Sequence, residues 1–164
     1  GLGAIGFAEG TAGERPPLFL VLCGGASALV LMSADRAHAL GVAPLARIVG
    51  QAASGLAPKM VLMTPVEATR RLMKKIGWRL EDVDLFELNE AFAVQAVAVI
   101  RELGLPRADQ PQRQRRLLGH PVGATGAILA VKALYELRRT SGRRALTTMR
   151  IGGGQGIAAI FERV

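Results

Sequence analysis

Cysteine and aromatic residues are scarce in this chain. Of its 164 residues, one is a cysteine, Cys23, and 4% are aromatic. A single thiol excludes an internal disulfide framework and a cysteine-rich zinc site, and it is typical of a reducing compartment. We therefore expect a cytoplasmic protein in which Cys23, lying in an apolar segment, is a small buried side chain and binds no metal.

A secretory signal and a long unbroken hydrophobic run are also missing. The chain begins at Gly1 with no initiator methionine and no basic n-region, so no signal peptide is recognised at its start. Residues 16–34 carry no charge, but two prolines open this stretch, and Gly24 and Gly25 interrupt it. This pattern favours a loop followed by a buried strand over a spanning helix, so we expect no membrane partner.

Negative charge is in deficit. Lys and Arg number 21 against 13 Asp and Glu, which gives a formal charge of +8 and allows binding to polyanions. The densest basic run contains Arg113, Arg115 and Arg116, yet no aromatic side chains for stacking on bases are interleaved with it. A solvated loop is therefore favoured over a nucleic-acid or CoA-phosphate patch. We expect no nucleic-acid partner, although a basic nucleic-acid-binding module stays an alternative that rests on charge alone.

Short apolar runs alternate with amphipathic stretches from residue 28 onward. This alternation predicts an α/β fold with helices on both faces of the sheet. The predicted strands cover residues 28–32, 45–49, 83–88, 145–151 and 157–161, and a glycine-rich loop joins the last two as an antiparallel hairpin.

The predicted helices have recognisable ends. A short helix covers residues 35–40, and the next begins at Thr64 as N-cap, with Pro65 in its first position and Glu67 closing a capping box. That helix places Thr69, Leu72, Met73 and Ile76 on one stripe and ends near Gly77. A third helix follows residues 89 and 90, and a fourth covers residues 123–139. On the third helix one face collects Phe92, Ala96, Val99 and Leu103.

Three polar stretches lie at the ends of these elements. They read Asn-Glu-Ala-Phe at 89–92, Gly-His-Pro-Val-Gly-Ala-Thr-Gly at 119–126 and Ile-Gly-Gly-Gly-Gln-Gly at 151–156. Taken singly, each has a structural explanation: Asn89 suits a helix cap, His120 a surface turn, and the glycines a tight hairpin with positive φ.

Together, in this order and spacing, the three stretches resemble the C-terminal part of the thiolases. That family comprises the acetyl-CoA acetyltransferases and 3-ketoacyl-CoA thiolases, and residues 28–33, 44–48 and 64–70 are similar to it too. The resemblance covers about residues 25–164 and leaves 1–24 as an atypical N-terminal segment. It implies a thiolase-like layered sandwich, whose mixed β-sheet is covered by helices on both faces.

The resemblance also implies roles for four residues. His120 matches the histidine that activates a nucleophilic cysteine and helps to bind the thioester oxygen, a task suited to a neutral imidazole. Asn89 matches the residue that holds an ordered water, which completes an oxyanion hole with that histidine. Gly152 matches the glycine whose N–H contributes to a second oxyanion hole, and Phe92 matches an aromatic lining the pantetheine tunnel.

The implied reaction is acyl transfer between CoA thioesters, by Claisen condensation or its thiolytic reverse. CoA thioesters are then the substrates, with no metal and no prosthetic group. The implied partner is a thiolase N-terminal half that carries the nucleophilic cysteine, and the complete enzyme is expected to be a homo-oligomer.

The chain departs from the family pattern where thiolases have cysteines. Arg150 stands at the position of the second cysteine, which moves the substrate α-proton, and a guanidinium cannot act as a base. Cys23 stands at neither family position. We therefore expect no activity from the chain alone, and a degenerate, non-catalytic thiolase-fold association module is the alternative.

Two further segments are off the family pattern, at residues 12–17 and 111–116. A one-base shift of frame is one hypothesis for both. The codons CCC CAA CGT CAA CGG CGG encode Pro-Gln-Arg-Gln-Arg-Arg, the sequence at 111–116. The same letters read one base later contain Asn-Val-Asn-Gly, which is close to the family's Asn-x-Asn-Gly-Gly loop.

Overall fold

A computed structural model describes residues 25–105 and 121–164 of the chain. The strands are β1 (Ala46–Gly55), β2 (Leu85–Leu88), β3 (Arg144–Ile151) and β4 (Gln155–Arg163). The helices are α1 (Ala34–Ala39), α2 (Thr64–Ile76), α3 (Ala93–Leu103) and α4 (Thr125–Thr140). Single 3₁₀ segments occupy Pro58–Met63, Leu80–Asp82 and Gly152–Gly154.

The four strands form one mixed sheet in the order β1-β4-β3-β2. β4 pairs antiparallel with both β1 and β3, whereas β2 pairs parallel with β3. Leu88 of β2 is in register with Thr148 of β3. The parallel pair therefore directs the chain that follows both strands to the same edge of the sheet.

Helices cover both faces of this sheet, as predicted. On one face Leu72 of α2 packs with Leu146 and Ile160, and α3 extends the layer through Val99. On the other face Leu137 of α4 packs against the opposite side of β2 and β3. The fold is thus a mixed α/β layered structure, in agreement with the thiolase-like prediction.

Most predicted elements are confirmed because their patterns are local. The hairpin of β3 and β4 forms, and α2 and α3 end at Gly77 and Gly104, each with φ near +70° in the left-handed region. The short helix α1 is capped by Ser33, whose Oγ accepts from the Arg36 N–H at 3.2 Å. β1 begins near the expected residue but continues to Gly55, beyond the predicted end at 49.

The strand predicted at residues 28–32 is wrong. These residues have no strand structure, and Val30 and Leu31 are 85% and 68% exposed. A strand is made by hydrogen bonds to a neighbour, and no strand of the described ranges lies beside this segment. Apolar, β-branched composition alone does not provide such a neighbour.

The start of α2 also differs from the prediction. Thr64 is the first helical residue, after Met63 as N-cap. Its hydroxyl proton is shared between the carbonyls of Val61 at 2.7 Å and Gln155 at 2.9 Å, so it links the helix to β4. Glu67 closes no capping box and instead pairs with Arg71 at 2.6 Å. A bond back to the preceding 3₁₀ segment and one to the distant Gln155 replace the N-cap role that the sequence pattern suggested.

Within the two described ranges, no helix combines the length and apolar character needed to cross a bilayer. The same residues contain no group of three or more His, Cys, Asp or Glu side chains placed to hold a metal. Cys23, His120 and the basic run at 113–116 lie outside the described residues.

Candidate active site

Three loops converge on the edge of the sheet where β2 and β3 end. The first follows Leu88, the second follows Ile151, and the third is the turn at 121–124 that opens α4. The Gly126 position is close to β3, since a Cβ there would lie 3.5 Å from the Met149 Sδ. The described parts of the three polar stretches, 89–92, 121–126 and 151–156, therefore reach one edge, the usual position of functional groups in α/β folds.

Asn89 is buried at this edge, with 4% of its surface exposed. Its backbone N–H donates to the Thr148 carbonyl at 3.0 Å, which fixes the residue beside β3. It does not cap α3, whose N-cap is Phe92, so the capping interpretation is wrong. The Asn89 Nδ2 has no hydrogen-bond partner among the described residues. The carboxamide thus keeps a donor for a bound group.

Phe92 lies in the loop between β2 and α3. Its ring was expected on one face of α3 with Ala96, Val99 and Leu103. These three are buried, whereas Phe92 is 47% exposed. Phe92 is the N-cap and has an extended backbone (φ −145°). It therefore lies outside the regular helix, and its side chain does not continue the apolar stripe. An exposed ring at the start of α3 is free to contact an apolar ligand chain.

The glycine loop between β3 and β4 is fixed by contacts between Gly154 and Leu56. Gly153 and Gly154 have φ of +69° and +85°, which confirms the need for glycine in this hairpin. A Cβ at Gly154 would lie 2.3 Å from the Leu56 carbonyl oxygen, and the Leu56 N–H donates to the Gly154 carbonyl at 2.8 Å. Gly152 is exposed with open space around its Cα. The loop is therefore fixed at Gly154 and open at Gly152.

Arg150 lies at the same edge, as the second-last residue of β3. It pairs with Gly156 and lies on the face of Leu146 and Thr148, as strand alternation predicts. Its Nε is buried and has no hydrogen-bond partner in the described part of the chain. None of the ion pairs among the described residues involves Arg150, and its guanidinium supplies no proton acceptor.

The residue expected as the proton acceptor, His120, lies outside the described residues. Its neighbour in sequence, Pro121, is described: the Pro121 carbonyl accepts from the Thr125 hydroxyl at 2.9 Å and starts the first turn of α4. A Cβ at Gly25 would lie 2.9 Å from the Pro121 Cγ, so the chain around residue 25 approaches this turn.

Two features escaped the sequence patterns. Gln95, in the first turn of α3, is 2% exposed and leaves both carboxamide atoms without a partner in the described ranges. The only sign of it in the sequence is that Gln95 is a polar residue four positions before Val99, and so lies on the apolar face of α3. At the far edge of the sheet, Glu162 is buried beneath three arginines, and hydrogen bonding from Arg47 lowers its pKa.

The fold and the converging loops define a class: an α/β domain whose polar loops gather at the carboxyl ends of neighbouring strands. Residues 42–163 match the family described as thiolase, C-terminal domain. The chain therefore belongs to the thiolase family and contains its C-terminal domain.

Similar proteins carry thiolase names. The chain is 51% identical to beta-ketothiolase BktB of Cupriavidus necator over 140 residues, which are 85% of this chain and 36% of that protein. It is 50% identical to the 3-oxoadipyl-CoA/3-oxo-5,6-dehydrosuberyl-CoA thiolase of Escherichia coli, with the same coverage. The crystal structure of the Bacillus anthracis acetyl-CoA acetyltransferase superposes with a TM-score of 0.76 at 41% identity, covering 81% of this chain and 34% of that one. The chain thus spans about a third of the length of these relatives.

Proposed function

We propose that this chain is the carboxy-terminal part of a thiolase that transfers acyl groups between CoA thioesters. The observation that carries the proposal is the meeting of Asn89, Gly152 and the start of α4 at one sheet edge, within the range matched to the thiolase C-terminal domain. Relatives named beta-ketothiolase and acetyl-CoA acetyltransferase indicate the same substrate class.

In the proposed site each of four residues binds or orients part of the CoA thioester substrate. The unpaired Asn89 Nδ2 holds a water that donates to the thioester oxygen, and His120, just before α4, takes and returns a proton. The Gly152 N–H donates to the oxyanion of the acyl-cysteine, because the loop is fixed at Gly154 and open at Gly152. The exposed Phe92 ring lies against the pantetheine arm of CoA. CoA enters as a substrate, and no prosthetic group is proposed.

The chemistry requires two groups that this chain does not provide. A cysteine thiolate attacks the first thioester, takes the acyl group and releases the CoA thiol. A base then removes the α-proton of the second thioester, whose carbanion attacks the acyl-cysteine and frees the thiolate. The first cysteine belongs to the proposed N-terminal half, and the base position is Arg150, which stays protonated.

The proposed partner, the N-terminal half of a thiolase, fits an exposed segment. Residues 29–32 carry four apolar side chains that are at least 36% exposed, in a segment that precedes the matched range 42–163. The relatives also have about two thirds of their length outside the part that this chain covers. We propose that these exposed apolar side chains are covered when the N-terminal half docks against this segment. The complete enzyme is then an oligomer of such pairs.

The test is reconstitution with the N-terminal portion of the Cupriavidus necator beta-ketothiolase. Neither the chain alone nor its mixture with that portion should cleave acetoacetyl-CoA in the presence of CoA. The mixture with Arg150→Cys should do so, and adding His120→Ala to that variant should abolish the cleavage. Cleavage by the unmodified chain alone would refute the assignment of Arg150.

A second candidate function is a non-catalytic association module, and Arg150 favours it because a base has been lost. In that case the chain should form a stable complex with the N-terminal portion, seen by light scattering, while Arg150→Cys restores no turnover. No complex and no turnover would contradict both functions.

A further inference from the structure

Two buried polar side chains, Gln95 and Arg150, contain atoms without a hydrogen-bond partner. Gln95, in the first turn of α3, is 2% exposed, and neither its Nε2 nor its Oε1 is paired within the described ranges. The Arg150 Nε, near the end of β3, is also buried and unpaired there. Native proteins leave few buried polar atoms unpaired, so both side chains call for a binding partner.

Gln95 and Arg150 lie on the same face of the sheet. Strand alternation puts Arg150 on the face of Leu146, and Leu146 packs with buried residues of α2. Gln95 is one helical turn before Val99, and Val99 belongs to a cluster that joins α3 to α2 and to side chains of β2. Both unpaired side chains therefore belong to the face that α2 and α3 cover.

The two side chains also lie at the same edge of the sheet. Leu88 ends β2 in register with Thr148 of the parallel β3, two residues before Arg150. α3 follows β2, so its first turn, which contains Gln95, lies at the edge where both strands end, and helical side chains lean toward the helix N-terminus. The 3₁₀ segment Pro58–Met63 contacts both α3 and β3, which brings these two elements to one place.

The groups gathered here are mainly donors. A guanidinium has five N–H donors and a permanent positive charge, and a carboxamide adds two more donors. No side chain caps the N-terminus of α3, and its first turn contains no acidic residue, so the helix adds partial positive charge. Neither Arg150 nor Glu90, in the turn before α3, forms an ion pair among the described residues. An anionic acceptor from outside these elements fits this arrangement.

We infer that Arg150 and Gln95 form a binding site for a carboxylate on a short apolar chain. A carboxylate accepts two parallel hydrogen bonds from a guanidinium, and this bidentate pair still leaves guanidinium N–H groups for the Gln95 Oε1. The neighbouring elements also carry exposed apolar side chains: Met60 of the 3₁₀ segment is 45% exposed, and Phe92 at the start of α3 is 47% exposed. They suit the hydrocarbon part of a short-chain carboxylic acid. The inference goes beyond the proposed function, because it needs neither CoA nor acyl transfer.

The test is the binding of butyrate to the 164-residue chain, measured through the melting temperature at constant ionic strength. Butyrate at about 50 mM should raise the melting temperature by at least about 2 °C, because a ligand that binds only the folded chain stabilises it. Butanamide has nearly the same shape but no charge. It should raise the melting temperature by less than about 0.5 °C, since it cannot form a charge-assisted pair with the guanidinium.

Three variants assign the butyrate shift to this site. Arg150→Met removes the cation and keeps an apolar stem, so it should abolish the shift. Gln95→Met removes the carboxamide at similar volume and should weaken butyrate binding at least about tenfold, the loss expected for one hydrogen bond to a charged group. Arg101→Met is the matched control, because it removes an exposed arginine from the last turn of α3. It should leave the shift unchanged.

The absence of a butyrate shift, equal shifts with butyrate and butanamide, or a shift that survives in Arg150→Met would each overturn the inference. If Gln95→Met does not fold, Gln95→Glu takes its place: its carboxylate competes with butyrate for the guanidinium, so the shift should disappear, and a retained shift would contradict the site. No measurement here needs catalysis or an N-terminal half. The inference can therefore fail while the proposed function holds, and the reverse is equally possible.

Discussion

At the residue scale, Arg150 is poorly matched to its surroundings. Its Nε is buried without a partner in the described structure, on the face of β3 that also carries Leu146 and Thr148. Replacing it with cysteine removes an unpaired donor and a cation, so Arg150→Cys should stabilise the chain by about 1–3 kcal/mol, or a few degrees in melting temperature. Calorimetry of the two proteins measures this.

Arg150→Lys is the control, because it keeps the charge in the same place. It should gain little or nothing. A melting temperature for Arg150→Cys equal to or below that of the unmodified chain would mean that the guanidinium finds a partner that stabilises it, and would count against a damaged thiolase site.

Single residues also show how far the sequence predicts a site. The face occupied by Arg150 follows from strand alternation, and the motifs around Asn89 and Gly152 were recognisable as sequence. The unpaired Gln95 was not, because burial and the absence of a hydrogen-bond partner depend on how α3 packs. The roles given to His120, Asn89, Gly152 and Phe92 remain predictions.

At the element scale, the hairpin of β3 and β4 depends on glycine where it touches the rest of the chain. At Gly154, φ is +85° and a Cβ would lie 2.3 Å from a backbone oxygen that cannot move aside. We expect Gly154→Ala to destabilise the chain by at least about 2 kcal/mol, from left-handed strain plus the clash. Urea denaturation measures the change in unfolding free energy.

The same loop provides the control. Gly152 has open space around its Cα, so Gly152→Ala should change stability by less than about 0.5 kcal/mol. Equal losses for the two alanine variants would mean that the loop is not anchored at Gly154.

Elements were predicted well where their signals are local and badly where they depend on a neighbour. The ends of α2 and α3 at glycines and the β3–β4 hairpin are set by backbone conformations that glycine favours. The segment at 28–32 has strand composition but no strand beside it, and the Thr64 hydroxyl prefers the Val61 and Gln155 carbonyls to a local cap.

At the scale of the whole molecule, Glu162 connects three of the four strands at the edge opposite the candidate site. Its buried carboxylate, near the end of β4, accepts from Arg47 of β1 and from Arg144 of β3, and it pairs with Arg143 at 3.0 Å. The hydrogen bond from Arg47 is the main cause that lowers the Glu162 pKa below its ordinary value of 4.5. The ionised carboxylate is therefore bound more tightly in the folded chain than in the unfolded one.

This pKa shift predicts how stability depends on pH. A carboxyl whose pKa is lower in the folded state stabilises the fold above its unfolded pKa and loses that contribution as the pH falls through its folded pKa. We expect Glu162→Gln to melt below the unmodified chain at pH 7, because three arginines lose their common anion. As the pH falls from about 5 to 3, the gap should shrink, since the unmodified chain then protonates the same carboxyl. Glu81→Gln, a change at an exposed glutamate outside this cluster, should keep the pH dependence of the unmodified chain. The difference in melting temperature between Glu162→Gln and the unmodified chain could instead stay constant from about pH 5 to 3. That result would show that the ion pairs at Glu162 contribute nothing to the stability of the sheet.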